Sequence, residues 1–199
     1  MELNLIDCCL VRGHDDLVRA ESDCLYTYLI AGNGLWVHAE DDRMSATIPV
    51  APADCPGLTI LRPEVRLKLD RIPSAYLITA LQSARRRLPD EAIYQFAVDP
   101  KDDLWPWRCI CPPQKADVSS VTYANDARAV VDLHSHGNMA AYFSDTDSRD
   151  EGGLRFYAVV GNILVEPILR VRVGVYGHHF EISPLVVFDG WGPFKGIDL

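Results

Sequence analysis

The chain has no C-x-x-C pair. Its six cysteines, Cys8, Cys9, Cys24, Cys55, Cys109 and Cys111, fit neither a zinc ribbon nor a thioredoxin-like redox motif. Cys109-Ile110-Cys111 leaves metal ligation open against the commoner role of free, buried thiols. Long hydrophobic runs are missing too. The most apolar stretch, Leu154 to Val175, is interrupted by Arg155, Glu166, Arg170 and Arg172, so no membrane span is expected. Positive charge is scarce: 19 basic residues face 28 acidic ones, for a net charge of −9. The acidic excess covers residues 1–70 and 71–199 alike, which argues against nucleic acid or an anionic membrane surface as partner. Met1 to Asp7 is acidic where a secretory signal is basic, so a cytoplasmic protein with reduced thiols is expected. Repeats and low-complexity tracts are absent. What is present, 48% hydrophobic and 24% charged residues, is the balance of a folded globular chain. At 199 residues it can bury a core without disulfides.

Residues 1–71 read as a β-rich N-terminal extension. Cys24 to Ala31 is rich in β-formers, Gly32-Asn33-Gly34 turns the chain, and Leu35 to Ala39 returns. Met44 to Val50 pairs next, and Pro49 suggests an edge strand. Val65, Leu67 and Leu69 alternate with Arg66, Lys68 and Asp70 as a half-buried strand does. A second domain is expected over residues 72–199. Ser74 to Leu88 is a helix, with Ser74 as its N-cap and Leu77, Ala80, Leu81, Ala84 and Leu88 on one face. Arg85, Arg86 and Arg87 complement the dipole at its last turn, and Pro89 stops it. Strands are expected at Glu91–Val98, Trp107–Cys111, Val118–Tyr123, Phe156–Val165, Ile168–Tyr176 and Phe180–Phe188. Ala129 to His134 is nearly all apolar and reads as a central strand, and Asp145 to Glu151 as a short helix before Gly152-Gly153.

One segment carries chemistry. Val130-Val131-Asp132-Leu133-His134-Ser135-His136 is followed after seven residues by Ser144-Asp145-Thr146-Asp147. Residues two apart on a strand point to the same side, so His134 and His136 present two imidazoles to one point. Two histidines and a carboxylate make a usual catalytic zinc shell, which leaves one position for water. Asp147, at the start of a short helix, supplies that carboxylate, with Asp145 a rival. Ser144 lies nearly one turn before Asp147 and faces the same centre. Asp132 is either a partner that orients an imidazole or a strand-edge residue. His178 and His179, as strand neighbours, point apart. Trp105-Pro106-Trp107 either lines a groove for a partner or caps the core.

H-S-H, seven residues, then S-x-x-D resembles the JAMM motif of the JAB/MPN metalloprotease family, which includes metal-dependent deubiquitinases and their prokaryotic relatives. The resemblance covers roughly residues 72–189. It implies an α/β (α+β) fold with a mixed, curved sheet and flanking helices. It implies zinc held by His134, His136 and Asp147, Glu91 as general acid/base, and Ser144 steadying the tetrahedral intermediate. Three departures stand out: Gly137 follows the second histidine and Phe143 precedes the serine, where the family often has proline, and Ala92 to Phe96 replaces a glycine-rich segment. The layout also resembles the protein A subfamily of prokaryotic PRTRC systems. Those pair a JAB-like protein with ubiquitin-activating-like and ubiquitin-conjugating-like partners. The implied activity is that of a zinc peptidase or isopeptidase acting on the C-terminal tail of a ubiquitin-like protein or on a peptide. The alternative is a non-catalytic docking subunit that keeps its metal site. Asp132-Leu133-His134-Ser135-His136 is also similar to the D-L-H-S-H of barrel-type phosphoesterases and amidohydrolases. Such a barrel takes about 250 residues, more than the 199 present.

Overall fold

The computed structural model describes residues 5–20, 24–99, 106–118 and 121–195; for residues 18–20 it describes the backbone alone. In chain order the elements are β1 (Ile6–Leu10), α1 (His14–Ala20), β2 (Tyr26–Ala31), β3 (Gly34–Glu40), β4 (Met44–Pro52), β5 (Glu64–Leu67), α2 (Ala75–Arg87), β6 (Ala92–Val98), β7 (Trp107–Ile110), β8 (Gln114–Ala116), β9 (Val121–Tyr123), β10 (Ala129–Ser135), α3 (Asp145–Asp150), β11 (Leu154–Gly161), β12 (Ile168–Val175) and β13 (His178–Ile182). Pro184–Val186 forms one 3₁₀ turn. The result is a mixed α/β (α+β) fold, rich in strands and with few helices, as the resemblance implies. Two compact units result. The first is Met1–Leu69 with Glu151–Leu154 and Val173–Phe180, and the second is Asp70–Asp150, Arg155–Arg172 and Glu181–Leu199.

In the first unit the sheet runs β1-β2-β3-β4-β5. β2 to β5 form an antiparallel meander, and β1 lies parallel to β2. β2 alternates half-buried and buried positions, so Thr27, Leu29 and Ala31 face inward. The tight turn into β3 needs Gly34, whose φ is +136° and where a side chain would collide with the Ala51 carbonyl. β4 is an interior strand, not the edge that Pro49 suggested. β5 pairs only with Met44–Thr47, so Pro49 lies beyond that ladder and pairs with β3 alone, at a register shift, as proline in a strand favours. Val11, Leu29, Ala31, Trp36 and Leu61 form the core here, with Leu17 of α1 packed against it. β1 and α1 were not foreseen. β1 is mostly exposed, so no buried-face alternation marks it in the sequence.

The larger sheet has the order β13-β12-β11-β10-β6-β7. β10 lies between a parallel β11 and an antiparallel β6 and is buried at all seven positions. That is why its sequence is nearly continuous in apolar residues. α2 buries Leu77, Ala80, Leu81 and Ala84. Its ends are tied down by Tyr76 Oη donating to the Trp107 carbonyl (2.8 Å) and Arg85 Nε donating to the Ile163 carbonyl (2.8 Å). Ser74 makes no side-chain cap. Its own N–H instead donates to Asp189 Oδ1 at 2.7 Å, a partner 115 residues away that local sequence cannot reveal. Of the strand expected at 118–123, Val121–Tyr123 is seen, and residues 119–120 lie outside the described residues. The strand expected over 180–188 ends at Ile182 and gives way to the 3₁₀ turn, because Pro184 has no N–H to continue a ladder.

Candidate metal centre

The site is built at the end of β10. His134 is its penultimate residue, and His136 follows one residue past the strand, held by its N–H to the Val160 carbonyl of β11 (2.8 Å). The strand period turns both rings to one side, and both residues are buried. Their Nε2 atoms stand 3.0 Å apart. Asp147 arrives from α3, with Oδ1 3.5 Å from His134 Nε2 and Oδ2 3.9 Å from His136 Nε2. One ligand atom from each residue lies within 4.8 Å of the others, and no second group of three such residues occurs among the described residues.

The donor set fits zinc. Nitrogen and oxygen ligands at about 2.0–2.2 Å in a tetrahedron stand roughly 3.3–3.6 Å apart. The two Nε2 atoms at 3.0 Å and the Asp147 Oδ1 at 3.5 Å from His134 lie close to that edge, and one atom from each of the three residues fits within 4.8 Å. His136 Nδ1 donates to the Ala140 carbonyl at 3.2 Å, which fixes the tautomer and leaves the Nε2 lone pair aimed at the cluster. Burial, and then the neighbouring His134, hold the His136 imidazole below its ordinary pKa, so its ligating neutral form prevails. Burial pushes the Asp147 carboxyl up, but the His134 imidazole and the bonds from Ser144 outweigh it and hold the group well below the usual carboxylate range. The fold therefore favours the carboxylate form of Asp147, the form that can ligate a metal.

Ser144 and Asp147 form a reciprocal cap. The Ser144 N–H donates to Asp147 Oδ2 (2.6 Å), and the Asp147 N–H donates to Ser144 Oγ (3.1 Å). The S-x-x-D spacing is thus also a helix-start signal, one that sets the ligand carboxylate in place. Asp145, the rival ligand, is exposed and outside the cluster.

Glu91 sits immediately before β6, whose register pairs Ala92 with Ser135 and Ile93 with His134. The middle serine of H-S-H points away from the imidazoles and accepts the Ala92 N–H at 3.1 Å, tying Glu91 to the end of β10. The Glu91 N–H donates to the Asp117 carbonyl (2.8 Å). Only 7% of Glu91 is exposed. Burial raises its pKa from about 4.5 to about 7; His134 opposes that shift, and the Asp147 and Asp117 carboxylates add to it. The structure thus brings Glu91, His134, His136, Ser144 and Asp147 together.

The other candidates go elsewhere. Asp132 pairs with Arg155 (2.7 Å), Gln95 (3.0 Å) and Tyr123 (3.2 Å) rather than with an imidazole. His178 bonds Tyr28 Oη at 2.9 Å and His179 faces Glu151 at 3.4 Å, so the pair points apart. Trp107 is buried and donates to the Asp70 carbonyl (3.0 Å), the role of a core residue, while Trp105 lies outside the described residues. Cys109 and Cys111 are free, and Cys111 is in contact with Arg87 and Gln114.

The model of the family of prokaryotic homologs of the JAB domain matches residues 73–173, just over half of the chain. The chain belongs to this family. The matched stretch of the JAB domain holds all five site residues. JAB domains include metalloproteases, so a JAB/MPN-type function follows in general terms. No curated protein matches the chain. Among the described residues, no helix is long and apolar enough to cross a membrane.

Two JAB-site residues escaped the sequence reading. Gly161 ends β11, and a Cβ there would overlap the backbone of Ala140 and Ala141 and stand 2.5 Å from the Met139 carbonyl oxygen. The loop after the histidines therefore passes directly over it. Tyr142 lays its ring edge-on to His136, centroids 4.8 Å apart. Nothing in one sequence marks either. The departure at Gly137 has a local cause: its φ is +55°, which proline cannot adopt.

Proposed function

We propose that the chain is a zinc-dependent peptidase or isopeptidase that hydrolyses an amide bond at the C-terminal tail of a ubiquitin-like protein. One observation carries this reading: two imidazole nitrogens and a carboxylate converge within 4.8 Å beside a buried glutamate with a pKa of about 7. His134, His136 and Asp147 would hold the ion. Bound there, zinc supplies a Lewis acid that polarises a carbonyl and acidifies water toward a pKa of roughly 7. The remaining steps belong to the chain. Glu91, poised near neutrality, takes a proton from the attacking water and returns it to the leaving amine. The Ser144 hydroxyl, held at the cluster by the cap, donates to the oxyanion of the tetrahedral intermediate. The ubiquitin-like substrate, and ubiquitin-activating-like and ubiquitin-conjugating-like partners, rest on the family resemblance.

The test pairs zinc content with cleavage of an amide at the C-terminal tail of a ubiquitin-like protein. Wild type is expected to hold one zinc per chain and to cleave. Glu91→Gln should keep the zinc and lose roughly 10²–10⁴-fold in rate. His134→Ala should lose zinc and activity together. Full activity in the zinc-loaded Glu91 variant would refute the mechanism. Zinc without cleavage in wild type would favour the docking subunit instead.

A further inference from the structure

The loop between His136 and Asp147 contains no proline, yet it must hold a metal ligand at each end. It leaves β10, passes over Gly161 at the end of β11, and meets the side chains of β12. There Arg170 reaches the Ala141 carbonyl (3.4 Å) while pairing with Glu181 (2.6 Å). Arg172, only 6% exposed, does more. Its guanidinium carbon lies 4.0 Å over the centre of the Phe143 ring. Its Nη1 donates to Ser148 Oγ at 3.2 Å, and that hydroxyl donates to the Ser144 carbonyl at 3.0 Å. A charged donor polarises the hydroxyl and strengthens the second bond. The contacts thus bracket the capped turn, with Phe143 just before it and Ser148 just after it.

Resting on the metal reading above, we propose that Arg172 is a positioning residue for the metal centre, clamping the Ser144–Asp147 turn through Phe143 and Ser148. Proline would stiffen such a loop covalently by fixing φ. Phe143 cannot do so, but it offers a flat π face on which a desolvated guanidinium stacks strongly. Arginine is required because lysine lacks both the plane and the fork. Gly161 complements the clamp, because only a residue without a side chain lets the loop cross to β12.

The experiment uses Arg172→Met, Arg172→Lys and Phe143→Leu in the full chain. Methionine removes both the charge and the fork, whereas lysine keeps the charge alone; exchange in β10 reports any loss of global stability. In metal-free protein, amide exchange at Ser144 and Ser148 should speed by about tenfold or more in each variant, while Val131 and Leu133 of β10 stay unchanged. Zinc affinity, measured by chelator competition, should fall by about 10- to 100-fold, the usual effect of losing a group that orients a ligand. Wild-type exchange at Ser144 and Ser148 in folded Arg172→Met overturns the proposal, and so does uniform acceleration that includes β10. If Arg172→Met fails to fold, Phe143→Leu decides by the same criteria. A wild type that binds no zinc sinks the metal reading alone, because the exchange measurement tests the clamp without metal.

Discussion

At the scale of single residues, Glu91 shows how burial moves an ordinary carboxyl toward neutrality. Its pKa in the metal-free fold, about 7, lies above the ordinary value of about 4.5. The fold therefore favours the protonated acid. That contribution to stability is complete below about pH 4.5 and is lost as pH rises through about 7. Glutamine has nothing to titrate there. The melting temperature of metal-free Glu91→Gln, relative to wild type, should therefore climb between about pH 5 and about pH 8. Scanning calorimetry at both pH values checks this, and a constant difference would mean that Glu91 is not held as an acid. The cation at the centre favours the carboxylate, so zinc should shrink the difference.

Among the elements, the end of β11 and the loop it supports matter most. Gly161 has no room for a side chain because the backbone of residues 139–141 lies against it. That contact places the Ala140 carbonyl where it accepts from His136 Nδ1. Gly161→Ala forces the loop outward. We expect a loss of about 1–3 kcal/mol in denaturant unfolding, the usual cost of overpacking. Zinc affinity should fall in the same variant, because the carbonyl that orients His136 moves. Unchanged stability and affinity would show that the loop yields without cost. α3 makes the complementary case. It has six residues and buries none of them, so packing does not hold it. The reciprocal bonds of Ser144 and Asp147, with Ser148 behind them, supply what hydrophobic burial does not.

For the whole molecule, the division into units does not follow the chain. The first unit includes Val173–Phe180, where Tyr176 stacks on Tyr26 (centroids 4.9 Å) and His178 bonds Tyr28 (2.9 Å). A chain starting at residue 70 would strip these partners from the ends of β12 and β13. It should melt below the full-length protein and bind more of a hydrophobic dye, because stacked aromatic surface is returned to water. Equal melting temperatures for the two chains would show that those contacts add nothing.

What the sequence determined alone was local or periodic. The two-residue strand period sets His134 and His136 on one side, the helical spacing of Leu77, Ala80, Leu81 and Ala84 marks α2, and an apolar run marks β10 as central. Asp147 is legible from its spacing after the two histidines and from the resemblance to the JAMM motif, whereas its reciprocal cap with Ser144 is visible only in the structure. The tertiary structure decided what depends on distant partners. The N-terminus of α2 is met by Asp189 and not by Ser74. Asp132 turns to Arg155 because β11 lies parallel beside β10 and carries that arginine to it. β1 is mostly exposed, so it leaves no hydrophobic signature. Gly161 and Arg172 meet the loop only because it crosses β11 to reach β12. Periodicity is written residue by residue, whereas these contacts join segments far apart in the chain, and only folding brings them together.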